Sequence, residues 1–108
     1  MNYNIELTET FKNEAKKLIK KYPSLRAEIE ELGNHLVVTP TLGIPLGNDV
    51  YKIRISIASK NKGKSGGARI ITYVKVVAET VYLLSIYSKG DKDNISDKEI
   101  EKLLKEYV

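Results

Sequence analysis

Apolar and polar residues alternate at the start of the chain, where Tyr3, Ile5 and Leu7 are separated by Asn4 and Glu6, and this period of two predicts a short strand. From Thr8 the period changes. Phe11, Ala15, Leu18, Ile19 and Tyr22 recur at helical spacing, with Thr8 placed to cap the helix they define. Pro23 breaks that helix, and Leu25, Ile29, Leu32 and Leu36 predict a second one with Gly33 near its end, so the pair reads as an αα-hairpin. Residues 39–48 hold too many prolines and glycines for a regular element and read as a connection.

A run of strands follows. Over residues 50–58, Tyr51, Ile53, Ile55 and Ile57 fall on one face, and Lys52, Arg54 and Ser56 on the other. A glycine- and lysine-rich loop occupies residues 59–67. Residues 68–76 and 80–88 are joined so tightly that they must pair antiparallel. Alternation puts Arg69, Ile71 and Tyr73 on one face of the first, and Ser85, Tyr87 and Lys89 on one face of the second. Both strands are apolar on both faces, which calls for helices or a partner on each side of the sheet. At the end, Ser96 and Glu99 fit a capping box, Ile95 and Ile100 a hydrophobic staple, and Ile100, Leu103, Leu104 and Tyr107 one helical stripe. The order β-α-α-β-β-β-α predicts an α+β fold: a small, antiparallel-rich sheet with an N-terminal helical hairpin and a short C-terminal helix.

Composition narrows the function. With 108 residues and a 42% hydrophobic fraction, residues 1–108 make a single domain, which excludes a multidomain enzyme. The absence of cysteine excludes a disulfide frame, a zinc knuckle and a thiol nucleophile, and His35, the one histidine, cannot build a His-rich metal site. The first twenty residues lack a signal-peptide core, and the apolar run at residues 81–87 is too short to cross a bilayer, so a cytoplasmic protein without membrane contact is expected. Net charge is a modest +4, but its distribution is uneven. Lys52, Arg54, Lys60, Lys62, Lys64, Arg69 and Lys75 lie in residues 50–75 without one acid, leaving eleven bases against fourteen acids elsewhere. A positive segment on an otherwise slightly acidic chain is the footprint of a polyanion binder, with a solvated lysine-rich loop as the plainer alternative. Gly63-Lys64-Ser65 is not a P-loop, because the pattern needs glycine where Ala58 stands. Asp91, Asp93, Asp97 and Glu99 are out of register for a calcium loop.

The strand residues resemble a known family. The run from Val50 to Ile55 (VYKIRI), the block from Lys62 to Ile71 (KGKSGGARII) and the run from Tyr82 to Lys89 (YLLSIYSK) are similar to the RelE/HigB toxins of type II toxin-antitoxin systems, most of all to the HigB-like branch. The resemblance implies a ribosome-dependent endoribonuclease, an mRNA interferase that cleaves the message, inhibits translation and is neutralised by a cognate antitoxin. It implies no cofactor and no metal. Arg69 matches the arginine that holds the scissile phosphate, Lys52 and Arg54 match the basic pair on the preceding strand, and Tyr87 and Lys89 fall where further active-site side chains lie. Lys60, Lys62, Lys64, Tyr73 and Lys92 complete the expected RNA-binding surface. The chain departs from RelE proper, which has an arginine in the last strand and a catalytic tyrosine near the C-terminus; here Lys89 and the Ser96-capped helix occupy that stretch.

Elementary chemistry agrees with these roles. Cleavage by the RNA's own 2′-hydroxyl needs in-line positioning, stabilisation of an anionic phosphorane and two proton transfers. A planar guanidinium at Arg69 can hold two phosphate oxygens at once. Lys52 and Arg54, about 7 Å apart on one strand face, can bracket neighbouring phosphates. Lys52 or Lys89, crowded by other cations, is the candidate proton carrier, and Tyr87 is suited to stacking on a base or donating a proton. Two other functions fit the same residues: a non-catalytic RNA- or ribosome-binding domain, and a degenerate toxin acting only through antitoxin binding.

Overall fold

Thr8 joins the first strand to the first helix by doing two things with one hydroxyl. Its oxygen accepts the Phe11 N–H at 3.1 Å, the side-chain cap expected, and its proton goes to the Leu83 carbonyl at 2.9 Å in the middle of the sheet. In the computed structural model, which describes residues 2–58, 67–92 and 94–107, β1 spans Asn4–Leu7 and α1 spans Glu9–Lys21. Phe11, Ala15 and Leu18 point inward from α1, and the helix stops where Pro23 cannot continue it. The second helix, α2, covers Leu25–Val38 and runs straight through Gly33. A mid-helix glycine costs about 1 kcal/mol, less than is gained by burying Leu36 in the turn beyond it.

A strand absent from the sequence reading comes next. β2, Ile44–Gly47, pairs antiparallel with β3, Val50–Ile55, and forms one edge of the sheet. Pro45 is harmless there, because an edge strand has one side whose N–H groups need no partner. The turn between them is Asn48-Asp49, both at positive φ (55° and 63°), the conformation of a two-residue hairpin and one that Asn and Asp tolerate. β4, Ala68–Lys75, and β5, Thr80–Ser88, form the expected antiparallel hairpin, with Val76–Ala78 drawn into a single 3-10 turn. The sheet order is β1-β5-β4-β3-β2, parallel between β1 and β5 and antiparallel elsewhere.

Helices cover both faces, as the two-sided apolar strands require. On one face α1 and α2 bury Ile53, Ile70, Val74, Val81, Leu83 and Ile86. On the other, the C-terminal helix α3, Asp97–Tyr107, packs Ile100 and Leu103 against Val50, Ile71, Leu84 and Tyr87. The capping box is formed: the Glu99 N–H donates to Ser96 Oγ at 3.1 Å, and Ser96 Oγ–H to the Glu99 carboxylate at 3.3 Å. Tyr107, read as part of the apolar stripe, also ties α3 to α1 through its hydroxyl, 2.9 Å from the Thr10 nitrogen and 2.8 Å from its Oγ1. β1 ends at Leu7, opposite Leu83, so the rest of β5 lacks a strand on that side. Glu14 of α1 fills the gap, its carboxylate accepting from Ser85 Oγ (2.8 Å) and the Ile86 N–H (3.2 Å). Among the described residues no helix is long and apolar enough to cross a membrane.

Candidate active site

Strand register decides which of the chemically interesting side chains meet. β3 pairs with β4 so that Arg54 lies opposite Arg69, and β4 pairs with β5 so that Arg69 lies opposite Tyr87. Directly opposed residues share a face with Cβ atoms about 5 Å apart, so Arg54, Arg69 and Tyr87 form one row across three strands. The adjacent row is Lys52, Ile71 and Ser85. Lys52 and Arg54 therefore stand on the face that α3 covers in part.

The row is graded in exposure. Arg54 is exposed and Lys52 half-buried, while Arg69 and Tyr87 are only 4% and 5% accessible. A buried guanidinium needs acceptors, and Arg69 Nη1 donates to the Ala68 carbonyl at 3.2 Å. The Tyr87 hydroxyl, by contrast, is buried with no hydrogen-bond partner among the described residues. Burial pushes its ionisation above that of an ordinary phenol; the Arg69 charge pulls it back down, and the Glu99 carboxylate pushes it further up. Lys92 closes the group, with its Nζ 5.1 Å from the Tyr87 ring centroid and 3.0 Å from Glu99 Oε2. Hydrogen bonds from Lys92 and Ser96 hold the Glu99 carboxyl below the usual range. Arg54, Arg69, Tyr87, Lys92 and Glu99 thus run continuously from the sheet to the start of α3.

Two expected members stand apart. The sequence reading put Lys89 in the last strand, but β5 ends at Ser88, whose carbonyl accepts from the Asp91 and Lys92 N–H groups (3.0 and 3.2 Å) and curls the chain away. Lys89 is exposed in that turn, its own N–H bonded to the Gly67 carbonyl at 3.1 Å. Tyr73 has the expected parity but sits opposite Tyr82, ring centroids 6.1 Å apart, against the α3 cluster. Four residues of strand, about 13 Å, separate it from Arg69. Lys60, Lys62 and Lys64 lie outside the described residues. Sequence reasoning assigned Glu99 to capping and gave Glu14 no role. The first could have been found by noting that a capping-box glutamate at the start of the last helix lies beside whatever the preceding turn presents, here Lys92. At the β3 edge, beyond the end of β2, a cavity of about 520 Å³ is lined by Lys52 and Arg54 together with Glu28, Glu31 and His35 of α2.

The state of Tyr87 gives a test of this geometry. Because folding binds its proton more tightly, the stability tied to Tyr87 is intact below about pH 10, the ordinary phenol value, and is lost as pH rises toward the higher folded value. Urea midpoints measured from pH 8 to 11 should therefore fall more steeply for the native protein than for Tyr87→Phe. Parallel declines would show that the hydroxyl does not sit in a low-dielectric site.

Comparison with known proteins identifies the family and the fold. Residues 4–107 match the family described as RelE toxin of the RelE / RelB toxin-antitoxin system. The fold is similar to a double arginine-to-alanine mutant of the E. coli toxin RelE in the free state, with a TM-score of 0.66 and 16% identity over 100% of both chains. It is similar to the isolated E. coli RelE toxin, with a TM-score of 0.60 and 19% identity over 95% of this chain and 97% of that one. It also resembles a chain of the intact E. coli RelBE toxin-antitoxin complex, with a TM-score of 0.59 and 20% identity over 78% of this chain and 93% of the other.

Proposed function

Given that the chain belongs to the RelE toxin family, we propose that it is a metal-independent endoribonuclease that cleaves messenger RNA on the ribosome and is neutralised by an antitoxin protein. The observation that carries the reading is the row Arg54, Arg69, Tyr87, extended along β3 by Lys52. In this mechanism the 2′-hydroxyl attacks the adjacent phosphorus, the bond to the 5′-oxygen breaks, and the products are a 2′,3′-cyclic phosphate and a 5′-hydroxyl. Charge grows on the non-bridging oxygens of the phosphorane, where a guanidinium is most effective because its two N–H vectors are already aligned. Arg69 has that role, held from below by the packed sheet. Arg54 and Lys52 hold the flanking phosphates, and Lys52 is the candidate proton carrier. Tyr87 and Lys92 close the end of the row, the ring buried beneath the ammonium.

A second reading draws on the near-complete burial of Arg69 and Tyr87. A side chain sunk to that depth also suits a scaffold that binds RNA, the ribosome or an antitoxin without cutting. Primer extension on a message translated in a purified system separates the two. Cuts that appear only when ribosomes are present are expected; cuts on free RNA would remove the ribosome requirement, and no cuts by folded protein would favour the scaffold.

A further inference from the structure

We propose that the cavity between α2 and the open edge of β3 is a guanine subsite, taking the base of a nucleotide whose phosphate lies on Lys52 and Arg54. That the nucleotide belongs to an RNA chain rests on the function proposed above; the chemistry of the cavity does not. Its volume of about 520 Å³ is that of a small-ligand pocket, and Leu32, Leu42 and Ile53 give it apolar surface against which a planar ring can lie. Gly43, at φ 102°, brings residues 42–44 close against β3: a Cβ there would fall 2.6 Å from the Lys52 carbonyl oxygen.

Charge is divided between the two elements. Glu28, Glu31 and His35 of α2 follow one another at helical spacing, and β3 adds Lys52 and Arg54. Glu28 is already committed, its carboxylate accepting from the Ala58 N–H at 2.8 Å and the Ser24 hydroxyl at 3.2 Å. The side chains of Glu31, His35, Lys52 and Arg54 make no hydrogen bond or ion pair among the described residues, so all four can meet a ligand. The acids repel a phosphate from α2 and the cations attract one to β3, which turns a nucleotide with its base toward α2. A carboxylate accepts from two neighbouring N–H groups at once, and an imidazole has an N–H to donate in either tautomer. Glu31 and His35, at i and i+4, have Cβ atoms about 6 Å apart and can converge on one base edge. Two donors followed by an acceptor is the Watson–Crick edge of guanine, read N2–H, N1–H, O6. Adenine and cytosine set one amino group beside ring acceptors that a carboxylate repels, and uracil has a single N–H between two carbonyls.

Labelled tetranucleotides, 2′-O-methylated so that they cannot be cut and carrying one guanine, adenine or cytosine among uracils, are titrated into the full-length native protein by fluorescence anisotropy. The guanine probe should bind at least about tenfold more tightly than the other two, the discrimination of one good two-point base contact. In Glu31→Gln that ratio should fall to about threefold or less, because an amide cannot accept along both N–H vectors. Losing a carboxylate strengthens binding of every RNA alike, so the ratio is a readout that a purely electrostatic role leaves unmoved. Arg54→Ala should instead weaken all three probes together and flatten their salt dependence, the mark of a phosphate contact. Both side chains are exposed, and circular dichroism checks that each variant is folded. Absence of a guanine preference in the native protein, or an undiminished one in Glu31→Gln, would overturn the subsite. Guanosine 5′-monophosphate alone is the last probe: binding as tight as that of the guanine tetranucleotide would assign the cavity to a free nucleotide and overturn its place on an RNA path. If the native protein prefers guanine yet makes no cut on the ribosome, the catalytic reading fails and the subsite remains. If it cuts on the ribosome but prefers no base in solution, the subsite fails and the toxin reading stands.

Discussion

Arg69→Ala should lower ribosome-dependent cleavage about 10²- to 10³-fold, the usual cost of removing one charged donor from a developing oxyanion. Ribosome binding should change little, since Lys52 and Arg54 remain. The loss belongs to the cleavage rate in single-turnover experiments rather than to the concentration dependence, because the phosphorane carries more charge than the ground-state phosphodiester. Arg69→Lys keeps the charge and loses the planar fork, so it should recover part of the rate and not all of it. It also guards against misreading. Arg69 is packed into the sheet, and an alanine there removes volume, so a melt must accompany the assay. The phenol of Tyr87 gives an independent check. Arg69 holds its ionisation down, so the alanine variant should move it further up in an ultraviolet titration. Cleavage undiminished in a folded Arg69→Ala protein would end the assignment.

Gly67→Ala should cost about 3 kcal/mol of stability, large for one methyl group. A Cβ at this position would collide with the Ile55 carbonyl oxygen and stand 3.0 Å from the Ser56 Cα, both backbone atoms that cannot rotate aside. Relief requires β3 and β4 to part at their last pair, Ile55 and Ala68, one residue short of Arg69. The Gly67 carbonyl also holds the Lys89 N–H, so the disturbance spreads to the end of β5. Activity should fall with stability. Gly33→Ala is the control: nothing lies within 4 Å of its Cβ, and in mid-helix the change should stabilise by about 0.5–1 kcal/mol. Urea midpoints that shift equally for the two variants would refute the argument from close approach.

Much of the fold was legible because several signals agreed locally. Thr8 and the Ser96, Glu99 pair mark helix ends by hydrogen bonds that a short window of residues dictates, and Pro23 by the N–H it lacks. β2 was hidden because Pro45 and Gly47 are breakers in a central strand and harmless on an edge, and edge position is a property of the assembled sheet. The Asn48-Asp49 turn was the available clue. At the site, alternation alone placed Lys52 with Arg54 and Arg69 with Tyr73. It could not supply register. β5 slips against β4 between Ile71 and Thr72, and this irregularity decides that Arg69 meets Tyr87 while Tyr73 meets Tyr82. The end of β5 is set by a turn gathered on the Ser88 carbonyl, which two-residue periodicity cannot foresee, and so Lys89 fell outside the strand.

Glu14 bears on how the molecule behaves in a crowd. β5 is nine residues long and its outer neighbour β1 only four, which would leave a bare flank of sheet able to recruit any passing extended segment. The carboxylate of Glu14 takes the Ile86 N–H and the Ser85 hydroxyl for itself, putting a negative charge where a foreign strand would need a carbonyl. The opposite border, β2, carries Pro45, which has no N–H to offer. Between them, one acid and one imino acid discourage the borders of the folded sheet from pairing with other copies of the chain.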